Sequence, residues 1–328
     1  MKLLIVIHHR LELWSAPAWF GERLGREFPI LRIVQRNSYD GIEPAMRDAE
    51  IVFTLSLRPE QFRAARNLRW IHAPTAAVHQ FMFPELINRD VILTNSSEVH
   101  GPVVAEHVIA LIFALAKKIP QAVLLQERRA WGQEAMWNHG QHLREIGGAT
   151  LGLVGVGSIG CRVARMASAL GMRVIAVREH VEKGIPEGVE AVFAPAELDE
   201  LLGQSDFVVI AAPLLSATQG LINQERLAVM KPDAFLINVG RGAQVDELAL
   251  ADALRRRRIA GAALDVFEHE PLPQDSPLWD LDNLLITPHA AGLTDKLWDR
   301  HYDLFSENLR RYLSHQPLRY VVDKQKGY

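Results

Sequence analysis

The eleven residues Thr150–Gly160, Thr-Leu-Gly-Leu-Val-Gly-Val-Gly-Ser-Ile-Gly, constrain the fold of this chain more than any other stretch. Gly155, Gly157 and Gly160 form a Gly-x-Gly-x-x-Gly loop between an apolar strand candidate, Leu151–Val154, and a helical pattern, Cys161–Leu170. In that setting the three glycines have different physical roles. Gly155 permits a tight turn, Gly157 lets a pyrophosphate approach the backbone, and Gly160 lets helix and strand pack closely. The helix start, Ser158-Ile159-Gly160, then offers unpaired N–H groups and a positive dipole end to phosphates. A plain glycine-rich turn without a ligand is the competing reading of the same residues.

The rest of the chain supplies a doubly wound sheet around that loop. Strands are expected at Arg173–Val177, Ala191–Phe193, Phe207–Ala211, Ala234–Asn238, Ala260–Leu264 and Leu284–Ile286. Helices such as Ala196–Leu202, Gln224–Val229 and Asp246–Arg256 lie between them. Residues 1–98 show a second α/β alternation without a glycine fingerprint: strands Leu3–Ile7, Ile30–Val34, Ile51–Leu55, Trp70–His72 and Val91–Leu93, with helices Trp14–Phe28 and Pro59–Ala65. A length of 328 residues agrees with two domains. The expected division is residues 1–98 plus 293–328 against 99–292, because the helix Asp295–Leu313 returns to the first domain once the second sheet is complete. Helix Val103–Lys118, opened by Pro102, is apolar nearly all round and is therefore expected to be buried. Val321–Tyr328 reads as a polar tail. Trp131 and Trp137, in a polar segment, are read either as anchors of an interface or cleft or as indoles tucked into a surface loop.

Composition narrows the function classes. The net charge of −3 gives no general attraction to nucleic acid or to an anionic membrane, and the run Arg255–Arg258 reads as the solvated end of a helix. Cys161 is the single cysteine, so an intramolecular disulfide is excluded and a reducing compartment fits. The apolar stretch Met1–Ile7 is only strand-long and has no cleavage site after it, and no helix candidate reaches the ~20 residues of a membrane span. A cytoplasmic protein is expected. His8/His9 and His139/His142 stand in pairs but lack the Cys or acid cluster of a metal site, and no metal is expected.

Parallel strands bring their carboxyl ends to one edge, where a doubly wound sheet binds ligands. The last three strands each run into charge there: Arg241, then Asp265 with Glu268 and Glu270, then His289. Arginine grips a carboxylate with two parallel hydrogen bonds. Histidine moves a proton near neutral pH, and a carboxylate beside it favours its protonated form. The set suits reduction of a 2-oxo acid, with hydride delivered to the carbonyl carbon and His289 protonating the oxygen.

Five motifs resemble, in order, those of the D-isomer-specific 2-hydroxyacid dehydrogenases: Val104-Ala105-Glu106-His107, Gly155–Gly160, Asn238-Val239-Gly240-Arg241-Gly242, Asp265–Leu272 and Thr287-Pro288-His289. The resemblance spans about Leu68–Leu293 and is closest in style to the glyoxylate/hydroxypyruvate reductases. It implies two Rossmann-like or flavodoxin-like domains with the cofactor in the interdomain cleft, and a homodimer. It implies Arg241 as substrate-carboxylate binder, Glu270 rather than Glu268 as partner of the histidine, and His289 as acid/base. It also implies that Asp265 lies near the nicotinamide amide, and that Pro213, Thr218, Val239 and Gly240 belong to the cofactor groove. Backbone N–H groups of the substrate loop hold the carboxylate in the family, which points here to Ala76 and Ala77.

Two departures follow. The family's Gly-Val-Asp substrate loop is replaced by Ala76-Ala77-Val78-His79, and alanine makes any required positive φ costlier, so a reshaped loop is expected. The acidic residue that usually binds the ribose of NAD is replaced by Arg178, eighteen residues after Gly160, which favours NADP(H) through its 2′-phosphate. Glu179, one position on, keeps NAD(H) as the competing cofactor. The rival functions are an NAD-dependent dehydrogenase of a larger D-2-hydroxy acid and a dinucleotide-sensing, corepressor-like binding protein.

Overall fold

The computed structural model describes residues 1–138 and 143–327, with His139, His142 and Tyr328 outside that set. Two compact units emerge, one of Met1–His100 with Leu293–Tyr328 and one of Gly101–Gly292.

In the first unit five parallel strands stand in the order β2-β1-β3-β4-β5: β1 Lys2–Val6, β2 Arg32–Arg36, β3 Ile51–Thr54, β4 Trp70–His72 and β5 Ile92–Thr94. The inner strands read as unbroken apolar runs because both faces are covered. Leu4, Val6, Val52, Ile71 and Leu93 pack on one side, and Leu3, Ile5, Phe53 and Trp70 on the other. The second face is covered by helix Ala18–Glu27, which starts just after Pro17, and by helix Leu297–Leu313, whose Tyr302, Phe305 and Leu309 enter the same core. The edge strand β2 begins two residues later than expected from Ile30, which lies on the surface, since an edge tolerates Arg32 and Arg36. The C-terminal segment is not a free polar tail. Val321 bridges Thr94 in antiparallel fashion, Val322 is buried, and Lys324 Nζ donates to the carbonyls of Leu86, Arg89 and Val91. The exposed edge of β5 offers backbone groups that need partners, and this segment supplies them.

The second unit holds seven parallel strands in the order β12-β11-β10-β9-β6-β7-β8, where β6 is Thr150–Val154, β7 Arg173–Val177, β8 Ala191–Phe193, β9 Phe207–Ile210, β10 Phe235–Asn238, β11 Gly261–Leu264 and β12 Leu284–Ile286. Side chains alternate between two cores: Leu151, Leu153, Val209 and Ile237 face one, and Val154, Val208, Ile210 and Leu236 the other. Helix Gly101–Ala116 packs in the first core beside helix Ser158–Ala169. Pro120 does more than interrupt it, because a second helix, Ile119–Glu127, starts there and bends 65° from the first. No single helix among the described residues is long and apolar enough to cross a membrane. Arg255–Arg258 end the helix Glu247–Arg255, with Arg256 on Asp252 and Arg257 on Asp282.

Candidate active site

Strand register places the chemistry on one edge of the second unit. Val154 pairs with Val177 and Ile210, Asn238 pairs with Ile210 and Leu264, and Leu264 pairs with Ile286. The segments that leave those residues therefore emerge side by side: Gly155, Arg178, Ala211–Pro213, Val239–Arg241, Asp265 and Thr287–His289. The strand order reverses direction at β6 and β9, the place where such sheets bind ligands.

The three glycines differ in what they exclude. Gly155 has φ +98°, and a Cβ there would lie 2.9 Å from the backbone of Ala212. At Gly160 a Cβ would collide with the carbonyl oxygen of Gly155. At Gly157, in contrast, a Cβ would meet nothing within 4 Å, so this position opens onto free space above the helix start. The first N–H groups of helix Ser158–Ala169 have no intrahelical acceptor. Arg162, one turn on, donates to the Ser158 hydroxyl at 2.9 Å and adds positive charge there. These features fit a bound pyrophosphate.

Arg178 follows the end of β7 directly. The Gly155 N–H bonds the Val177 carbonyl at 3.0 Å, so one peptide unit ties the glycine loop to Arg178. Among the described residues the Arg178 guanidinium donates to the Gly184 carbonyl alone, at 3.3 Å, and Glu179 beside it is exposed.

Arg241 is built on a tight backbone turn. Asn238 holds it from both sides, accepting from the Gly240 N–H and donating to the Arg241 carbonyl at 3.0 Å each. Buried Gln244 accepts from the Arg241 N–H at 2.8 Å and donates to the carbonyls of Ala212 and Pro213. The guanidinium donates to the Gly240 carbonyl at 2.6 Å. Crowding by surrounding protein lowers its pKa from the ordinary arginine value, and the charge of Glu270 opposes that shift. Thr218 closes the neighbouring loop, donating to the Pro213 carbonyl at 2.8 Å, and Val239 is buried.

Glu270 and His289 meet. The Glu270 carboxylate uses Oε2 on His289 Nδ1 at 2.7 Å and Oε1 on the Phe267 N–H at 3.0 Å. The imidazole is thereby gripped through one nitrogen, while its side chain remains 53% exposed, leaving Nε2 for a reacting group. Glu268, which spacing alone did not distinguish from Glu270, has an exposed side chain and forms no ion pair among the described residues.

Asp265 anchors the loop that carries the histidine. Its carboxylate is only 2% exposed and accepts from Thr287 Oγ1 at 2.6 Å, Ala290 N–H at 2.8 Å and Ala291 N–H at 3.0 Å. His107 Nε2 approaches the same cluster, 3.2 Å from Thr287 Oγ1 and 3.7 Å from Asp265 Oδ1. His289 has φ +50° and donates its N–H to the Asp265 and Thr287 carbonyls. The sequence marked His107 and Thr287 only as parts of motifs and gave no sign of Gln244 or Arg162. His107, Thr287 and Gln244 act by hydrogen bonding across long sequence separations, which no local pattern announces, whereas Arg162 bonds Ser158 one helical turn away.

Ala76 and Ala77 lie in the first unit, after β4, and neither has a positive φ. Among the described residues, no group of three or more His, Cys, Asp or Glu is placed to hold a metal.

Residues 109–291 match the model of the D-isomer specific 2-hydroxyacid dehydrogenase NAD binding domain. A glyoxylate reductase of Korarchaeum cryptofilum is 36% identical over 92% of this chain and 86% of its own length. A D-isomer specific 2-hydroxyacid dehydrogenase family protein from Aeromonas salmonicida superposes with a TM-score of 0.84 at 30% identity, covering 98% of this chain and 99% of that one. An NADPH-dependent glyoxylate/hydroxypyruvate reductase of Sinorhizobium meliloti, solved with NADP and sulfate, gives a TM-score of 0.81 at 25% identity over the whole of both chains.

Proposed function

The chain belongs to the D-isomer specific 2-hydroxyacid dehydrogenases, NAD(P)-dependent oxidoreductases of the CH–OH group, and we propose that within the family it reduces a small 2-oxo acid of the glyoxylate or hydroxypyruvate type to the D-2-hydroxy acid, with a preference for NADP(H). The observation that carries the chemistry is the Glu270–His289 pair at 2.7 Å, on the same sheet edge as Arg241 and the glycine loop.

Gly155–Gly160 would hold the pyrophosphate, with Pro213, Thr218, Val239 and Gly240 along the groove. A nicotinamide bound there would supply a hydride to the carbonyl carbon. Arg241 pairs with the substrate carboxylate and orients the carbonyl. His289 gives the proton from Nε2 to the carbonyl oxygen as the C–O π bond breaks, and recovers it from solvent afterwards. Glu270 fixes the ring through Nδ1 and offsets its positive charge. Asp265, with its carboxylate taken by the loop, acts by holding His289 in place rather than chiefly by contact with the nicotinamide.

One side chain and one comparison support the cofactor reading. Arg178, with its guanidinium spent on one long carbonyl contact, suits the 2′-phosphate of NADP, and a similar reductase is NADPH-dependent. A homodimer is supported by the apolar side chains Phe113, Ile119, Val123, Leu124 and Trp131, all exposed on one stretch of the second unit.

Steady-state turnover of glyoxylate, hydroxypyruvate, pyruvate and bulkier 2-oxo acids with NADPH and NADH tests the proposal. We expect glyoxylate or hydroxypyruvate to lead, NADPH to be preferred by at least ~10-fold in kcat/KM, and Arg178→Ala to erase that preference, as loss of one charged contact implies. Better turnover with NADH would sink the cofactor assignment. Cofactor binding without oxidation by any 2-oxo acid would favour a dinucleotide-sensing binding protein.

A further inference from the structure

The amino ends of the first unit's strands carry a concentration of charge that the dehydrogenase chemistry does not use. Parallel strands align their amino ends as they align their carboxyl ends, so the residues that open them meet on one edge of the sheet. Lys2 pairs in register with Arg32, and Ile51 with Trp70, which puts Glu50 beside Arg69. These residues line a cleft of about 820 Å³, together with residues 66–68, Arg89 and Asp90. That volume is typical of a small-molecule site, and the cleft lies wholly within the first unit.

Five basic side chains, Lys2, Arg32, Arg66, Arg69 and Arg89, line it against three acids, in a chain whose net charge is −3. Each acid is already engaged. Asp48 is paired with Lys2, whose hydrogen bond holds its carboxyl below the usual range, and lies 3.9 Å from Arg32. Glu50 Oε1 accepts from the Tyr312 hydroxyl at 3.0 Å. The charge of Asp90 acts on Lys324, opposing the lowering of its pKa by burial. Arg66 and Arg69 have no such counterpart: neither guanidinium makes a hydrogen bond or an ion pair among the described residues.

Their backbone, in contrast, is fixed. Arg89 donates to the carbonyls of Ala65 at 2.8 Å and Arg66 at 3.3 Å, with its guanidinium 5.2 Å from the centre of the Phe62 ring. The Arg66 N–H donates to the Arg47 carbonyl at 3.4 Å, and the Arg69 N–H to the Glu50 carbonyl at 2.9 Å. Two guanidinium groups thus line the cleft from a pinned loop, and such forked donors bind a phosphate through paired N–H groups. A phosphate monoester carries about −1.5 to −2 at neutral pH, which matches the two uncompensated arginines.

We propose that this cleft is a second ligand site of the chain, which binds a phosphate dianion through Arg66 and Arg69, as the head of a small hydrophilic monoester or as the free ion. Its volume, far larger than a phosphate ion, favours the ester. Calorimetric titration with glycerol 3-phosphate and with inorganic phosphate, at constant ionic strength, tests the proposal. The protein is first saturated with whichever of NADPH and NADH binds tighter, so that the glycine loop and Arg178 are occupied. Turnover does not enter the measurement, so failure of the functional reading would leave this test intact.

We expect one glycerol 3-phosphate per chain, with Arg66→Ala and Arg69→Ala each weakening it at least ~10-fold, as loss of a charge-assisted hydrogen bond implies. Arg66→Gln and Arg69→Gln, longer than alanine and equally neutral, should reproduce the loss. Arg255→Ala with Arg256→Ala removes two charges elsewhere, and Arg241→Ala removes the other arginine read as an anion binder. Both should leave affinity within about 2-fold, since distant charges are screened. Tighter binding of the ester assigns the site to an ester, equal binding of inorganic phosphate assigns it to the phosphate group alone, and both uphold the site. The proposal is overturned if the wild-type protein binds neither anion, or if binding survives loss of Arg66 and Arg69 together. An equal loss in Arg241→Ala or in the Arg255/Arg256 variant also overturns it.

Discussion

His289 sits at φ +50°, a left-handed conformation that costs a non-glycine residue about 1–2 kcal/mol. The surrounding hydrogen bonds offset that cost: its own N–H on two carbonyls, its Nδ1 on Glu270, and the next two N–H groups on Asp265. Substituting the imidazole should therefore leave the fold and the dinucleotide site intact while removing the proposed proton donor. His289→Ala should lower kcat by at least ~100-fold with little change in NADPH affinity, read from nucleotide fluorescence titration beside steady-state rates. Glu270→Gln keeps a hydrogen-bonding group but loses the charge, and a smaller fall of roughly 10-fold is expected. A variant at either position with near-wild-type kcat would remove that residue from the mechanism. At this scale the types Arg, Glu and His were visible at successive strand ends. The choice of Glu270 over Glu268 followed from resemblance, and the geometry shows why: only Glu270 bends back to Phe267 N–H and faces His289.

The glycine loop is an element whose three similar positions have different physical reasons, and substitution separates them. Gly160→Ala drives a Cβ into the Gly155 carbonyl, so a loss of stability on the order of 2 kcal/mol is expected, visible as a lower urea midpoint even without cofactor. Gly157→Val adds bulk only to free space, so the apo protein should unfold as the wild type does while NADPH affinity falls at least ~10-fold. Equal losses of stability in both would show that Gly157 is a packing position rather than a phosphate cradle. The loop's place at the end of β6 was legible because period, glycine spacing and helix onset coincide within eleven residues. The C-terminal segment was not legible in this way. Val321 and Val322 lie among polar residues, and only the open edge of β5, more than 200 residues away in sequence, gives them a partner.

For the whole molecule, acid is an informative perturbant. Burial pushes His72 down to about 3, and burial together with the charges of His100 and His72 holds His301 well below its ordinary range. Both are neutral in the folded protein and take up protons on unfolding below about 6.5, so stability present at neutral pH is lost as pH falls from about 6.5 toward 3. The slope should approach ~1.4 kcal/mol per pH unit for each histidine. Urea unfolding between pH 7.5 and 5 measures it, and His72→Gln should flatten the dependence; an unchanged slope would show that His72 is not its source. A second molecular-scale test concerns assembly. Trp131 is 94% exposed, so its indole is not tucked into a surface loop. Val123→Asp with Leu124→Asp should convert a dimer to a monomer by light scattering, and a wild-type monomer at micromolar concentration would end the dimer proposal. By itself the sequence determined what depends on neighbours in the chain: alternating strands and helices, the glycine loop, the charged strand ends and Arg178 in place of an acid. Tertiary structure alone decided which of those residues meet. The Asp265 anchor and the Gln244 brace to Ala212 and Pro213 are hydrogen bonds between segments far apart in sequence, and such pairings become defined only when the sheet aligns the segments that carry them.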